Sequence, residues 1–159
     1  MKFLHKLAIS TAIAAALMAG PASAAEKIAL VVKSLGNGFF DAAAKGAEEA
    51  AKELGGGIEV IYTGPTSATA EGQIEIINSL IAQKVDAIAI SANDPDALVP
   101  ALKKAMDRGI KVISWDSGVA AEGRIMHLNP SSNALIGKMC LQLAADHLPD
   151  GGPVGCKNF

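Results

Sequence analysis

The amino-acid sequence predicts an α/β fold in which about five strand-helix units form one doubly wound parallel sheet. Five short runs rich in isoleucine, valine and leucine recur along the chain, and such runs are typical of strands buried on both faces of a parallel sheet. Between them, apolar residues recur at the three- and four-residue spacing of amphipathic helices. The regular alternation predicts parallel strands joined by right-handed crossovers.

The first unit begins with an apolar strand at Ile28 to Val32. A polar turn at residues 33–38 contains two glycines, and Phe39 and Phe40 then lead into an alanine-rich helix. The helical spacing stops at the glycines 55–57, as expected just past a helix C-terminus. Ligands bind where the strands of such units end.

The next two units follow the same plan. The second strand is expected at Ile58 to Tyr62, and its helix runs to about Gln83. The third strand is expected at Val85 to Ile90. Asp94 can cap the free amides of the following helix, and Pro95 suits the first helical position because it has no N–H to lose.

The last two strands are expected at Ile110 to Trp115 and Arg124 to Leu128. Asn129 and Pro130 repeat the pattern of a cap followed by proline, so the last helix is expected to begin there. Its apolar face contains Leu135, Ile136, Met139, Cys140 and Leu143. This position favours a buried free thiol for Cys140, while a disulfide with Cys156 stays open because spacing alone does not decide pairing.

The first 24 residues have the pattern of a secretory signal peptide. Lys2, His5 and Lys6 form a basic segment, an apolar segment extends from Leu7 to Ala19, and the small residues 22–24 fit a cleavage site. A transmembrane anchor is disfavoured because the apolar run is shorter than the roughly 20 residues that a span needs. The mature chain is therefore expected in a bacterial periplasm.

Without this leader the chain has 135 residues, the length of one domain, and residues 25–149 are expected to form it. The loss of Lys2 and Lys6 changes the formal net charge from −2 to −4. No basic patch stands out, which argues against nucleic acid or an anionic membrane surface as a partner. The sequence has no cluster of metal ligands, and we expect a monomer without a cofactor.

Polar side chains follow every predicted strand. Because the carboxyl ends of parallel strands share one edge of a sheet, we expect these side chains to share that edge. The set contains Lys33, Asn37, Tyr62, Thr63, Ser91, Asn93, Asp94, Asp116, Ser117, His127 and Asn129. The aromatic residues between residue 25 and the tail lie at the same strand ends, namely Phe39, Phe40, Tyr62 and Trp115.

This combination of groups suits a small sugar or polyol. Asp116 can accept hydrogen bonds from two neighbouring hydroxyls, and charge-assisted bonds of this kind are roughly twice as strong as neutral ones. Lys33 would donate to a ligand oxygen, and Phe39, Phe40 or Trp115 would cover the C–H face of the ligand.

Structural interpretations stay open beside these roles. Lys33 can be a solvated strand end, Asp116 can cap the turn that follows it, and Phe40 can be a core residue under the first helix. Asn93 and Asp94 are interpreted as caps, and His127 is interpreted as structural.

Two motifs, Asn37-Gly38-Phe39-Phe40 and Trp115-Asp116, resemble sequences of a known family. The first is similar to the Asn-Pro-Phe-Phe sugar-contact turn of periplasmic sugar-binding proteins of the ribose-binding type, with glycine in place of proline. The second is similar to the strand end whose aspartate binds sugar hydroxyls. Residues 26–149 resemble the amino-terminal lobe of these proteins, which implies sugar contacts at both motifs and an ABC-transporter permease as partner. Ser117 stands where members for simple pentoses and hexoses often have arginine.

Four further motifs resemble one branch of that family: Val32-Lys33, Gly64-Pro65-Thr66, Gly72-Gln73 and Ser114-Trp115-Asp116-Ser117. The branch contains rhamnose-binding and autoinducer-2-binding receptors. In it, the lysine after the first strand and the aspartate after the fourth contact the ligand. The resemblance therefore implies ligand contacts at Lys33 and Asp116.

The resemblance also implies a second lobe that begins near Asp150. Residues 150–159 are instead rich in glycine, which indicates a truncated or frameshifted end, with a natural one-lobe protein as the alternative. Micromolar affinity corresponds to about −8 kcal/mol, so a lobe that supplied half of it would bind with about millimolar affinity. We therefore expect weak or no sugar binding by this chain alone.

Two other functions share this fold class. A Rossmann-type enzyme is disfavoured because Gly36-x-Gly38 lacks the third glycine of the dinucleotide fingerprint, and Tyr62 stands where an acidic residue would end the second strand. The sequence also has no phosphate loop and no nucleophile elbow, so we expect no enzymatic activity. The core of a sugar-responsive transcriptional regulator would follow a helix-turn-helix, where this chain has the leader.

Overall fold

The computed structural model describes residues 25–148 and 150–152. Its strands and helices are β1 (Lys27–Val31), α1 (Gly38–Leu54), β2 (Glu59–Thr63), α2 (Ala70–Gln83), β3 (Ala87–Ile90), α3 (Val99–Asp107), β4 (Lys111–Trp115), β5 (Met126–Leu128) and α4 (Asn133–His147). The predicted leader at 1–24 and most of the glycine-rich tail lie outside the described residues. Within the described residues, no helix is long and apolar enough to cross a membrane.

The strands form one sheet in the order β2-β1-β3-β4-β5, and every pairing is parallel. From β1 the chain moves outward to β2, then crosses back to β3 and continues in the opposite direction to β5. The point where the direction reverses, between β1 and β3, is where open α/β sheets form a ligand crevice at the carboxyl ends of their strands. The predicted doubly wound parallel sheet is confirmed.

The two faces of this sheet are covered unequally. Ile88 and Ile90 of β3 are fully buried in the main core, which they form with residues of α2 and α3. Neighbouring residues along a strand point to opposite faces, and on the other face Leu30, Ala89 and Ile113 are only half-buried. One face is therefore a complete core, and the other is partly open.

Helix α3 begins later than the sequence predicts. The Asp94 carboxylate accepts hydrogen bonds from the backbone N–H groups of Asp96 (2.9 Å) and Ala97 (2.8 Å), but these groups belong to a turn, and the helix begins at Val99. These two hydrogen bonds, of which the one from Ala97 has the larger effect, hold the pKa of Asp94 below its usual value. Asp-Pro is as suitable for a turn as for a helix start, so the dipeptide alone could not locate the helix.

Helix α4 also begins later than the sequence predicts. Ser132 caps it, because the Ser132 hydroxyl accepts a hydrogen bond from the backbone N–H of Leu135 at 3.1 Å. The Asn129 side chain accepts instead from the N–H of Ser131 at 3.3 Å, before the helix begins. The predicted start at Asn129 and Pro130 is therefore wrong by a few residues for the same reason as in α3.

No residue of α4 is buried, although its apolar spacing predicted a core-facing helix. Its large apolar side chains are each about half exposed or more, namely Leu135, Ile136, Met139, Leu141 and Leu143. Cys140 is exposed as well, so the predicted buried thiol is wrong. Helical spacing indicates that a face favours burial, but it does not say which surface covers it. Cys156 lies outside the described residues, and its pairing stays open.

Candidate functional site

A cleft of about 460 Å³ opens at the carboxyl edge of the sheet. Its lining residues are Lys33, Ser34, Asn37, Phe39, Phe40, Ala68, Asp116 and Ser117. They come from the loops after β1, β2 and β4 and from the first turn of α1, beside the reversal of strand order. Of the residues predicted as ligand contacts, only Trp115 does not line the cleft, and it packs against both phenylalanines.

The aromatic residues of the cleft form one cluster. The Phe39 ring stacks on the Trp115 ring with centroids 6.2 Å apart and an interplanar angle of 23°. Phe40 contacts both rings edge-on, with centroid distances of 5.3 Å to Phe39 and 5.9 Å to Trp115. Phe40 is 4% exposed and Phe39 is 56% exposed. Phe40 thus supports the cluster from the core, whereas Phe39 presents apolar surface at the cleft.

Helix capping positions the phenylalanine turn. The Asn37 side-chain oxygen accepts a hydrogen bond from the backbone N–H of Phe39 at 3.0 Å, so Asn37 is the N-cap of α1. The first turn of α1 is also held by Asp41, whose Oδ1 accepts a hydrogen bond from the Tyr62 hydroxyl at 2.8 Å. Burial, this hydrogen bond and the charge of Asp41 raise the pKa of Tyr62 to about 12. Tyr62 therefore fastens α1 to β2 and does not join the aromatic cluster.

Asp116 is held in an uncommon backbone conformation. Its φ of 54° lies in the left-handed region, which residues other than glycine adopt at a cost. Its Oδ2 atom accepts hydrogen bonds from the hydroxyls of Ser91 (2.8 Å) and Ser117 (3.4 Å). Both donors bind Oδ2, so Oδ1 keeps its capacity to accept a further hydrogen bond. Ser91 is fully buried and fixes this orientation from below the cleft.

Asn93 fastens two loops and does not cap a helix. Its Nδ2 atom donates to the backbone oxygens of Lys33 (2.9 Å) and Thr69 (3.1 Å). The interpretation of Asn93 as a cap is therefore wrong, because its amide bridges residues that are far apart in sequence. The bond to Lys33 holds the backbone of the predicted lysine contact, and Lys33 lines the cleft.

Two glycines of the branch motifs allow close packing beside the cleft. A Cβ atom at Gly64 would lie 2.7 Å from Cγ2 of Val32, and a Cβ atom at Gly72 would lie 2.8 Å from Cβ of Pro65. These distances are too short for side chains, so Gly64 lets the loop after β2 approach Val32 just after β1, and Gly72 lets the start of α2 approach Pro65 in that loop. The Leu35 N–H then donates to the Pro65 oxygen at 2.9 Å, which fixes the polar turn.

Sequence reasoning did not single out Ser34 and Ala68, which also line the cleft. Ser34 lies in the polar turn and could have been included on position alone. Ala68 has no side-chain chemistry that could have identified it. His127 is interpreted as structural, and its Nδ1 atom shares a hydrogen bond of 2.9 Å with the buried Ser114 hydroxyl.

A second cavity, of about 790 Å³, lies at the amino edge of the sheet. Its charged lining residues are Glu26, Lys84, Asp86, Lys104, Arg108 and Lys111. It is larger than the carboxyl-edge cleft, but no aromatic ring lines it and it lies opposite to the crevice of the parallel sheet. We therefore assign the candidate site to the smaller cleft. Among the described residues, no three His, Cys, Asp or Glu side chains are grouped so that they could hold a metal ion.

A parallel sheet with an aromatic and carboxylate cleft at its switch point defines the class of open α/β ligand-binding lobes. The chain belongs to the family of the periplasmic binding protein domain, whose family model matches residues 28–158. The membership implied by the sequence motifs is thereby confirmed.

The similar proteins named here are solute-binding proteins and not enzymes. The chain is 41% identical to a D-ribose/D-allose-binding protein of Pseudomonas aeruginosa over 57% of this chain and 29% of that protein. It is 32% identical to a ribose import binding protein of Bacillus subtilis over 80% of this chain and 40% of that protein.

Solved structures agree with this membership. A solute-binding protein of Clostridium phytofermentas with bound L-rhamnose is 37% identical, with a TM-score of 0.70 over 77% of this chain and 38% of that chain. The protein LsrB of Clostridium saccharobutylicum in complex with AI-2 is 32% identical, with a TM-score of 0.73 over 83% of this chain and 40% of that chain. The chain spans half or less of the length of each of these four proteins, which fits one lobe of a two-lobed fold.

Proposed function

We propose that this chain contains the first lobe of a periplasmic receptor that binds a small sugar or sugar-like ligand and delivers it to an ABC transporter. The observation that carries this proposal is the convergence of Lys33, Asp116 and Phe39 on one cleft. An ammonium donor, an anchored carboxylate acceptor and an exposed ring match the hydroxyls and C–H face of a sugar. The ligands after which the similar proteins are named or with which they were solved, ribose, allose, L-rhamnose and AI-2, support this class of ligand.

Within this proposal the six predicted contacts have different roles. Asp116 Oδ1 accepts from ligand hydroxyls, Lys33 donates to a ligand oxygen, and Phe39 covers the apolar face. Asn37 holds the turn before Phe39 and can donate its amide N–H groups to the ligand. Phe40 and Trp115 touch the ligand less and support the Phe39 ring. Rhamnose and autoinducer-2 are the ligands that the branch motifs favour.

The same proposal assigns the parts of the chain. Residues 1–24 act as a signal peptide that directs the chain to the periplasm, and residues 25–149 contain the sugar-binding lobe. A second lobe closes over the cleft, and the lobe of residues 25–149 alone binds with about millimolar affinity. The exposed apolar residues of α4 and the partly open sheet face support the idea that further protein surface packs here.

The test is a titration of the purified chain with L-rhamnose, ribose and AI-2, followed by backbone amide NMR signals and by the fluorescence of Trp115, the only tryptophan. We expect the signals of residues at the carboxyl edge to move with an apparent Kd near 1 mM, because one lobe should supply about half of the −8 kcal/mol of micromolar binding. Lys33→Met should weaken this binding about tenfold, the loss of roughly one charge-assisted hydrogen bond.

The matched control is Lys111→Met, which removes the same ammonium group from the opposite edge of the sheet and should leave the affinity unchanged. A sugar that moved only the signals around Lys111 would place binding in the larger cavity and refute the assigned site. A Kd below 1 μM, which corresponds to binding stronger than about −8 kcal/mol, would refute the expectation of weak binding by one lobe. No response to any of these sugars at concentrations well above 1 mM would refute sugar binding by this chain.

A further inference from the structure

We propose that Gln73 is a positioning residue that fixes Lys33 and Asp116 relative to each other, an inference that rests on the function proposed for their cleft. Gln73 does not line the cleft. It lies in the first turn of α2, directly after Gly72, and its side chain is fully buried. Its amide reaches the ends of two strands.

Both the donor nitrogen and the acceptor oxygen of the Gln73 amide form hydrogen bonds. Its Nε2 atom donates to the backbone oxygens of Val32 at 3.0 Å and Ser91 at 2.8 Å. Its Oε1 atom accepts from the backbone N–H of Asn93 at 2.8 Å. One side chain therefore joins the chain just after β1 to the chain just after β3, at the switch point of the sheet.

Two branches of hydrogen bonds lead from this amide to the proposed ligand contacts. On one branch, the Ser91 hydroxyl donates to Oδ2 of Asp116 at 2.8 Å. On the other, Nδ2 of Asn93 donates to the backbone oxygen of Lys33 at 2.9 Å. A shift of the amide would move the starting points of both branches, so it would change the separation of the carboxylate and the lysine.

Packing alone does not account for glutamine at this position. The buried face of α2 continues with Ile77, Leu80 and Ile81, and an apolar residue at position 73 would extend that face. A buried amide is stable only where its donors and acceptor are satisfied, and it specifies one geometry when they are. Close approach at Gly72 fixes the start of α2, which leaves the amide little freedom to move.

The test compares Gln73→Met with Gln83→Met in the purified chain. Methionine keeps the length of the side chain and removes all three hydrogen bonds. Gln83 lies at the end of the same helix, is exposed, and provides the matched control. We expect Gln73→Met to move the ligand-free amide signals of Lys33 and Ser117 and to weaken sugar binding about tenfold. The control should change neither.

Two variants interrupt single branches. Asn93→Ala should move the signal of Lys33 and leave that of Ser117, and Ser91→Ala should do the reverse. If both branches start at Gln73, Asn93→Ala or Ser91→Ala should lower the sugar affinity less in the Gln73→Met background than in the unmodified chain. If Gln73→Met does not fold, the single-branch variants test whether Asn93 positions Lys33 and Ser91 positions Asp116, and the inference is refuted if neither variant moves its expected signal.

The outcomes separate this inference from the proposed function. If Gln73→Met lowers stability while the Lys33 and Ser117 signals and the sugar affinity stay as in the control, Gln73 has only a structural role and the inference is refuted. If the unmodified chain binds no sugar, the proposed function fails, and the ligand-free signals alone then decide whether Gln73 positions the two residues.

Discussion

Two single variants, Phe40→Ala and Phe39→Ala, should separate the ring of the aromatic cluster that stabilises the fold from the ring that contacts the ligand. Phe40 is 4% exposed and makes edge contacts with both other rings, whereas Phe39 is 56% exposed. Their neighbouring positions in α1 make each variant the matched control of the other. We expect Phe40→Ala to reduce stability strongly and Phe39→Ala to reduce it slightly.

The expected magnitudes follow from burial. Removing a buried phenylalanine side chain costs about 3–5 kcal/mol through lost transfer free energy and the cavity that remains, so about 4 kcal/mol is expected for Phe40→Ala. Phe39→Ala removes one stacked and one edge-on ring contact. Because less than half of the Phe39 surface is buried, the expected cost is about 1 kcal/mol. With a urea m-value of about 2 kcal/mol/M, the midpoints shift by about 2 M and about 0.5 M.

The assay is urea unfolding followed by far-UV circular dichroism, because the fluorescence of Trp115 changes directly when either ring is removed. Sugar titration of the folded variants completes it. Phe39→Ala should weaken binding while it leaves the fold nearly intact. Equal midpoint shifts for the two variants, or a shift below about 0.5 M for Phe40→Ala, would refute the assignment of Phe40 to the core.

Three further predictions concern groups around the site. The pKa of Tyr62 in the folded chain is raised from 10.0 to about 12, so its hydroxyl stabilises the fold fully below pH 10 and loses this effect as the pH rises through 12. The urea midpoints of the unmodified chain and of Tyr62→Phe should therefore converge between pH 10 and 12. The pKa of Asp94 is lowered, so its stabilisation is present above its ordinary value of 3.8 and is lost as the pH falls through the lower folded-state value; the midpoint difference from Asp94→Ala should disappear in acid. Asp116→Val forces a β-branched residue to a φ of 54° and should cost about 1–3 kcal/mol in thermal or urea unfolding, whereas Asp116→Asn should stay within about 1 kcal/mol; equal costs would contradict strain at this position.

The sheet and the location of the candidate cleft were predictable from sequence because topology alone determines them. Apolar runs identify buried parallel strands, and the carboxyl ends of such strands share one edge. Lys33, Phe39 and Asp116 could therefore be placed together without any knowledge of their contacts. The helix starts were less predictable, because Asp94 caps a turn with the same hydrogen bonds that cap a helix.

Features that depend on contacts between distant residues were not predictable. The amide of Asn93 binds the backbone of Lys33, sixty residues earlier in the chain, and no local pattern distinguishes this from a cap. The exposure of Cys140 follows from the absence of buried residues in α4. Gln73 offered one signal, a polar residue on an otherwise apolar helix face, which indicates a buried hydrogen-bonding role.

Under the proposed function, the backbone of Asp116 also limits how the ligand specificity can change by mutation. At a φ of 54°, glycine, asparagine and aspartate are the residues tolerated at low cost, and of these only aspartate provides a charged acceptor. Random mutagenesis should therefore leave this residue unchanged in most functional variants. Altered ligand preference should instead arise at Phe39 and Ser117, which line the same cleft and whose φ angles lie outside the left-handed region. The cleft thus combines one nearly fixed acceptor with neighbours that selection can vary.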